Sequence, residues 1–123
     1  MMKRLCAYFG LAVLSCPLGC NPCGKEIWSN VPSPDSKWVA VTIMRDCGAT
    51  TSEVVSVNVH PIGEKKLSAE NNALVVKHGY AISTIWQNST TLSIECRECV
   101  PKEIIMKRDK VGSILLVYSL PQE

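Results

Sequence analysis

Past the N-terminal run, no window of the chain keeps an apolar stripe of helical period for three turns, and alternation of period two takes its place. The clearest stretch is Lys37 to Arg45, where β-branched, apolar and aromatic residues dominate. Trp38, Ala40, Thr42 and Met44 fall on one face and Val39, Val41 and Ile43 on the other. A strand apolar on both sides belongs inside its sheet, with cover on each face. Ser33-Pro34-Asp35-Ser36 ahead of it is a turn signature, because Pro presets φ and Asp and Ser can bond nearby backbone. Cys47-Gly48 closes the strand in a polar turn.

The next segment alternates cleanly, which points Val55, Val57 and Val59 inward and Ser56, Asn58 and His60 outward. Pro61 to Lys66 ends it, and Glu70-Asn71-Asn72 breaks the chain before a short strand from Leu74 to Lys77. His78-Gly79 turns into Tyr80 to Trp86, and Gln87-Asn88-Ser89-Thr90 makes a hairpin into Leu92, Ile94 and Cys96. A last pair, Glu103 to Lys107 and Ser113 to Ser119, flanks a charged turn at Arg108-Asp109-Lys110. The expectation is an all-β fold, a single small antiparallel meander sheet or sandwich of about seven short strands after an N-terminal signal helix.

The N-terminus reads differently. Lys3 and Arg4 precede a ten-residue apolar run from Leu5 to Leu14, the pattern of an export signal and too short to span a bilayer as a stable helix. Ala12-Val13-Leu14-Ser15-Cys16 resembles the lipobox of bacterial lipoproteins, and Pro17-Leu18-Gly19-Cys20 is a second candidate. The pattern favours Cys16 as the lipidated residue. Cysteine parity favours Cys20, which leaves Cys23, Cys47, Cys96 and Cys99 to pair. The organisation expected is a signal peptide over residues 1–19 with cleavage before Cys16 or Cys20, a tether over 20–34, and a β domain over 35–123. Either lipid would hold the protein at a membrane surface.

Composition narrows the functions. The chain has thirteen basic and eleven acidic residues, and without Lys3 and Arg4 the balance is even. Nucleic-acid binding needs a basic face, and the one locally basic segment, Lys102 to Lys110, is interrupted by Glu103 and Asp109. Seven cysteines in 123 residues behind an export signal point to an oxidising compartment and structural disulfides. Cys23–Cys47 would pin the tether to the end of the first strand, and Cys96–Cys99 would close a short local loop.

Other chemistry has weaker support. Two Cys-x-x-Cys pairs, Cys20/Cys23 and Cys96/Cys99, with His60 or His78 as a substitute ligand, could make a zinc site. The 72 residues between the pairs far exceed ribbon spacing. A thioredoxin-like role needs a helix N-terminus in a βαβ setting, and none is visible near Cys96. No Gly-x-Ser-x-Gly elbow accompanies the serines, both histidines fall at turn or outward positions, and Glu95 and Glu98 flank a cysteine turn rather than a cleft. Asp46 beside Cys47 suits an Asx-type turn bond. No catalytic residue and no cofactor is expected.

Two resemblances meet in the central stretch. Ser33-Pro34-Asp35-Ser36-Lys37-Trp38-Val39-Ala40-Val41 resembles the turn and strand that open blades of TolB-type β-propellers, with Ser36 where Gly is usual. The chain has length for barely two blades, so this implies local geometry alone. Cys23-Gly24-Lys25-Glu26, Val31 to Asp35, Arg45-Asp46-Cys47-Gly48-Ala49-Thr50-Thr51 and Ile85 to Ile94 together resemble a family of small exported bacterial proteins of unknown function. That likeness implies an exported β domain whose two Cys-Gly cysteines, Cys23 and Cys47, pair. The functional expectation is a lipid-anchored, non-enzymatic envelope module that meets the membrane surface and an envelope protein partner, with no nucleic acid. The alternative is a small metal-binding or thiol-redox envelope protein using Cys96 and Cys99.

Overall fold

The alternation folds into two stacked sheets. The structure, a computed structural model, describes residues 24–47, 53–78 and 80–121. Nine strands follow in chain order: β1 Gly24–Pro32, β2 Trp38–Asp46, β3 Val54–Pro61, β4 Asn72–Lys77, β5 Ser83–Asn88, β6 Thr91–Glu95, β7 Ile104–Lys107, β8 Lys110–Val111 and β9 Ile114–Ser119. One sheet runs β1-β2-β3-β4-β7 and the other β5-β6-β9-β8.

The hairpin β1–β2 is built by the turn that the sequence marks. Ser36 N–H donates to Ser33 O at 2.9 Å, and Ser33 Oγ donates to Asp35 Oδ1 at 2.7 Å. Asp35 Oδ1 also accepts from Lys37 N at 3.2 Å. These bonds hold the Asp35 carboxyl below its usual pKa, the Ser33 hydroxyl contributing most. Ser36 occupies the left-handed region at φ 60, the conformation that explains why glycine is usual there. Upstream, Gly24–Pro32 is a nine-residue strand paired with β2 from Gly24↔Asp46 to Pro32↔Val39, where a tether was expected. Three prolines hid it: Pro32 ends the strand at a sheet edge, a position that needs no ladder donor.

Strand β2 lies inside its sheet, as its two apolar faces require. Ala40 joins Val57, Val59, Leu74 and Val76 against Leu92, Ile94, Ile114 and Leu116 of the other sheet. Each of the Val, Leu and Ile side chains contributes on the order of 1.5–3 kcal/mol by leaving water. Val39, Val41 and Ile43 form a second cluster on the opposite face, covered by Leu67 of the β3–β4 connection. Trp38 reaches across to Gly112 in the β8–β9 turn, and Trp86 Nε1 donates to Val31 O at 2.9 Å, so both strands of the first hairpin are fastened to the second sheet near its turn.

Two expectations about connection are corrected. The final two segments do not pair with each other: β7 adds to β4 in the five-stranded sheet, and β9 returns to the four-stranded one. There β9 lies parallel to β6, with Leu92↔Leu116 and Ile94↔Tyr118, the single parallel ladder among the described strands. The chain therefore crosses between sheets after β4, returns after β6 and crosses again after β7, rather than meandering. Local alternation carries no record of which sheet a strand joins.

Candidate functional site

The crossover from β6 to β7 is where the chemistry-bearing residues collect. Cys96 continues β6 and its N–H donates to Ser119 O at 3.1 Å. Cys99 lies three residues on, with Cα atoms 5.5 Å apart in a disulfide. Both are buried at 0% and 1% exposure within the inter-sheet core. Arg97 and Glu95 pair on the surface above at 3.1 Å. A redox-active pair needs at least one sulfur open to an attacking thiolate, and these are closed.

Beside the crossover, Glu103 is held by two groups. Tyr80 Oη donates to Glu103 Oε1 at 2.6 Å, and His78 Nε2 sits 2.8 Å from Oε2. The rings of His78 and Tyr80 meet edge to face at 5.9 Å. The Tyr80 hydroxyl, then the nearby His78, holds Glu103 below its usual pKa, and the same hydrogen bond pushes the phenol of Tyr80 up. His78 takes a left-handed φ of 71 to reach this pair. The arrangement fastens the β4–β5 connection to the turn at Pro101–Glu103.

His60 and Asn58 depart most from expectation. Sequence alternation turns both outward, yet they are 6% and 1% exposed. Their face is indeed opposite to Val57 and Val59, but the β3–β4 connection folds back over it. Asn58 Nδ2 donates to Ser68 O at 2.9 Å and to Asn72 Oδ1 at 2.8 Å, leaving its Oδ1 2.7 Å from His60 Nδ1. With Oδ1 as the acceptor, Nδ1 carries the proton. Burial lowers the pKa of His60, and Glu64 opposes that partly. Arg108, which the sequence places in a charged turn, joins the same arrangement. Its Nη1 donates to the carbonyls of Asn72, Glu70 and Ala69 at 2.7, 3.0 and 3.3 Å, which ties the same connection to the end of β7. The signal available in the sequence was the polar, short-side-chain cluster Ser68 to Asn72, which supplies carbonyls and amides needing partners.

Of the other expected site residues, Cys47 at the end of β2 is disulfide-bonded. Cys16, Cys20 and Cys23 lie outside the described residues. Among the described residues no three His, Cys, Asp or Glu side chains are placed to hold a metal ion, and no helix is long and apolar enough to cross a membrane.

Two shallow concavities open beside the crossover and over the outer face of the four-stranded sheet. One, of about 250 Å³, is lined by Ala81, Ser83, Glu95, Arg97 and Glu98. The other, of about 220 Å³, shares Ser83 and Glu95 and adds Ile85, Ser93, Val117 and Ser119. Ile85, Leu115 and Val117 stand out of this face with 59, 51 and 46% of their surface in solvent. Its geometry suits contact with another surface better than enclosure of a small molecule, since ligand pockets bury most of their occupant. No protein-family model, no curated protein and no solved structure matches the chain.

Proposed function

We propose that the protein is an exported, lipid-anchored bacterial envelope protein whose β domain serves as a non-enzymatic interaction module. The observation that carries this reading is the use made of its reactive side chains. Cys96 and Cys99 are bonded inside the core, His60 holds Asn58, and His78 holds Glu103. The disulfide closes the turn after β6, His60 braces the Asn58 that holds the β3–β4 connection, and His78 fastens the β4–β5 connection to the turn at Pro101–Glu103. Among the described residues, the outer face of the four-stranded sheet, with Ile85, Leu115 and Val117 exposed, offers a surface for recognition. The membrane anchor, at Cys16 or Cys20, rests on the leader and lipobox patterns.

Intact mass spectrometry of the protein from membrane fractions, with and without reduction, tests the reading. The expected mass is that of a chain cut before Cys16 or Cys20, carrying acyl groups, with its paired cysteines oxidised. An unprocessed, unacylated chain with free thiols overturns the anchor. Hydrolase or redox turnover that disappears on substituting Cys96 or His78 overturns the non-enzymatic module.

A further inference from the structure

The five-stranded sheet ends in a line of positive charge. Lys25 pairs with Arg45, Arg45 with Val54, and Val54 with Lys77, so β1 to β4 meet in one transverse row beside Gly24, where β1 starts. Directly opposed residues share a face. That face is the outer one, because Ile43, two residues before Arg45, packs in the cluster that Leu67 covers, away from the other sheet. Lys25, Arg45 and Lys77 are exposed, and none forms an ion pair among the described residues. Glu26 and Asp46, next in their strands, alternate to the opposite face. The β3–β4 connection carries Lys65 and Lys66 against Glu64 and Glu70, which leaves the charge of the row uncancelled. Like charges directly opposed in a ladder are destabilising, and Lys25 and Arg45 are such a pair. Next to them Ile27 pairs with Ile43 on the same face, and Trp28 is the residue that the bulge inserts. Ile27 and Trp28 are 55 and 40% exposed.

We propose that this end of the five-stranded sheet rests on the anionic headgroup layer of the bilayer that anchors the chain. The inference deepens the envelope reading and rests on its lipid anchor. Two observations select a lipid surface. The first is the length of chain ahead of β1. An acylated Cys20 is four residues from Gly24 and an acylated Cys16 is eight, so β1 starts at most about 14 or 29 Å from the acylated residue. The row begins one residue later. The second is chemistry. Three cations across three strand spacings, about 14 Å, match a plane of lipid phosphates, and an indole beside an aliphatic side chain suits the boundary between headgroups and acyl chains. A tethered domain meets that plane at high effective concentration, so contacts too weak to recruit a free protein suffice to orient an anchored one. In this orientation the four-stranded sheet, stacked on the opposite side, turns Ile85, Leu115 and Val117 away from the bilayer, where a partner can reach them.

The test uses the acylated full chain reconstituted in vesicles whose lipids carry bromine on the upper acyl chain, with tryptophan emission as the readout. Vesicles containing phosphatidylglycerol are expected to quench Trp28, and phosphatidylcholine alone to quench it much less. Trp28→Phe identifies that share of the emission, since Trp38 and Trp86 are packed against the inter-sheet core. Raised salt is expected to reverse the quenching by screening. Lys25→Gln, Arg45→Gln and Lys77→Gln are each expected to lower the ratio of resting to lifted domain by about fivefold. Together they are expected to bring quenching down to the phosphatidylcholine level with the thermal midpoint retained, while Lys110→Gln, on the other sheet, changes nothing. Quenching equal in the two kinds of vesicle, or undiminished in the triple variant, overturns the proposal. So does a row that binds an oligonucleotide or an acidic protein and leaves anionic vesicles untouched. The two readings fail distinguishably: a chain whose mass shows no acyl group removes the anchor and this inference with it, whereas an acylated, vesicle-bound chain with unquenched Trp28 removes the resting face alone.

Discussion

Thr42 has no exposed surface, and its Oγ1 has no hydrogen-bond partner among the described residues. A buried hydroxyl left unpaired costs about 1–3 kcal/mol, while an apolar group of the same shape costs nothing of the kind. Thr42→Val is therefore expected to raise stability by about 1 kcal/mol, read as a higher denaturant midpoint with unchanged slope. Ser36→Gly relieves a left-handed φ that disfavours a side chain by about 1–2 kcal/mol, against an added unfolded-state entropy of about 0.5–1 kcal/mol. A net gain of about 0.5 kcal/mol is expected in the same measurement. Tyr118 adds a pH dependence. Its hydroxyl reaches Ala73 O at 2.8 Å and Arg108 O at 2.5 Å, and burial pushes its pKa up from 10.0 to about 12. Between those values the unfolded chain gives up a proton that the folded one keeps. Stability then falls as pH rises from 10 to 12, and Tyr118→Phe is expected to flatten that slope in unfolding curves taken across the range. His60 acts at the other end: its lowered pKa means that stability present above the imidazole range is lost on acidification through it.

At the scale of elements, much was legible. Alternation located β2, β3, β4 and β6, and Ser33 to Ser36 located the first turn, because side-chain period and turn chemistry are local properties. What local pattern does not contain is what lies above a face. Asn58 and His60 alternate correctly and are nevertheless buried, because a connection some ten residues along folds over them through Ser68 and Asn72. The pairing of β1 was masked by the prolines in and around it and by its bulge. Gly112 shows the same limit from the other side. Its φ is +57, and a Cβ there would stand 2.7 Å from the Trp38 ring, a contact between sheets that no neighbouring residue announces. Gly112→Ala is expected to destabilise by about 1–3 kcal/mol, through strain and the displaced indole, with a lower thermal midpoint and changed tryptophan emission.

The whole molecule is a sandwich that the chain crosses three times, after β4, β6 and β7, and residues whose types suggested chemistry fasten these connections. Arg108 and Tyr118 tie the return from β7, while Cys96–Cys99 and Glu103 with His78 and Tyr80 tie the departure from β6. The candidate site was legible to the extent that Cys96 and Cys99 are joined. That they are closed off from solvent follows only from the second sheet packing over them. The central claim is that these side chains fasten the fold rather than turn over a substrate, and the cysteine pair tests it most directly. The measurement is alkylation of Cys96 and Cys99 in the native protein under a mild thiol reductant, followed by mass spectrometry while circular dichroism monitors the fold. The account predicts that label enters only as the domain unfolds. Rapid labelling of either cysteine with the sheet signal intact would contradict it.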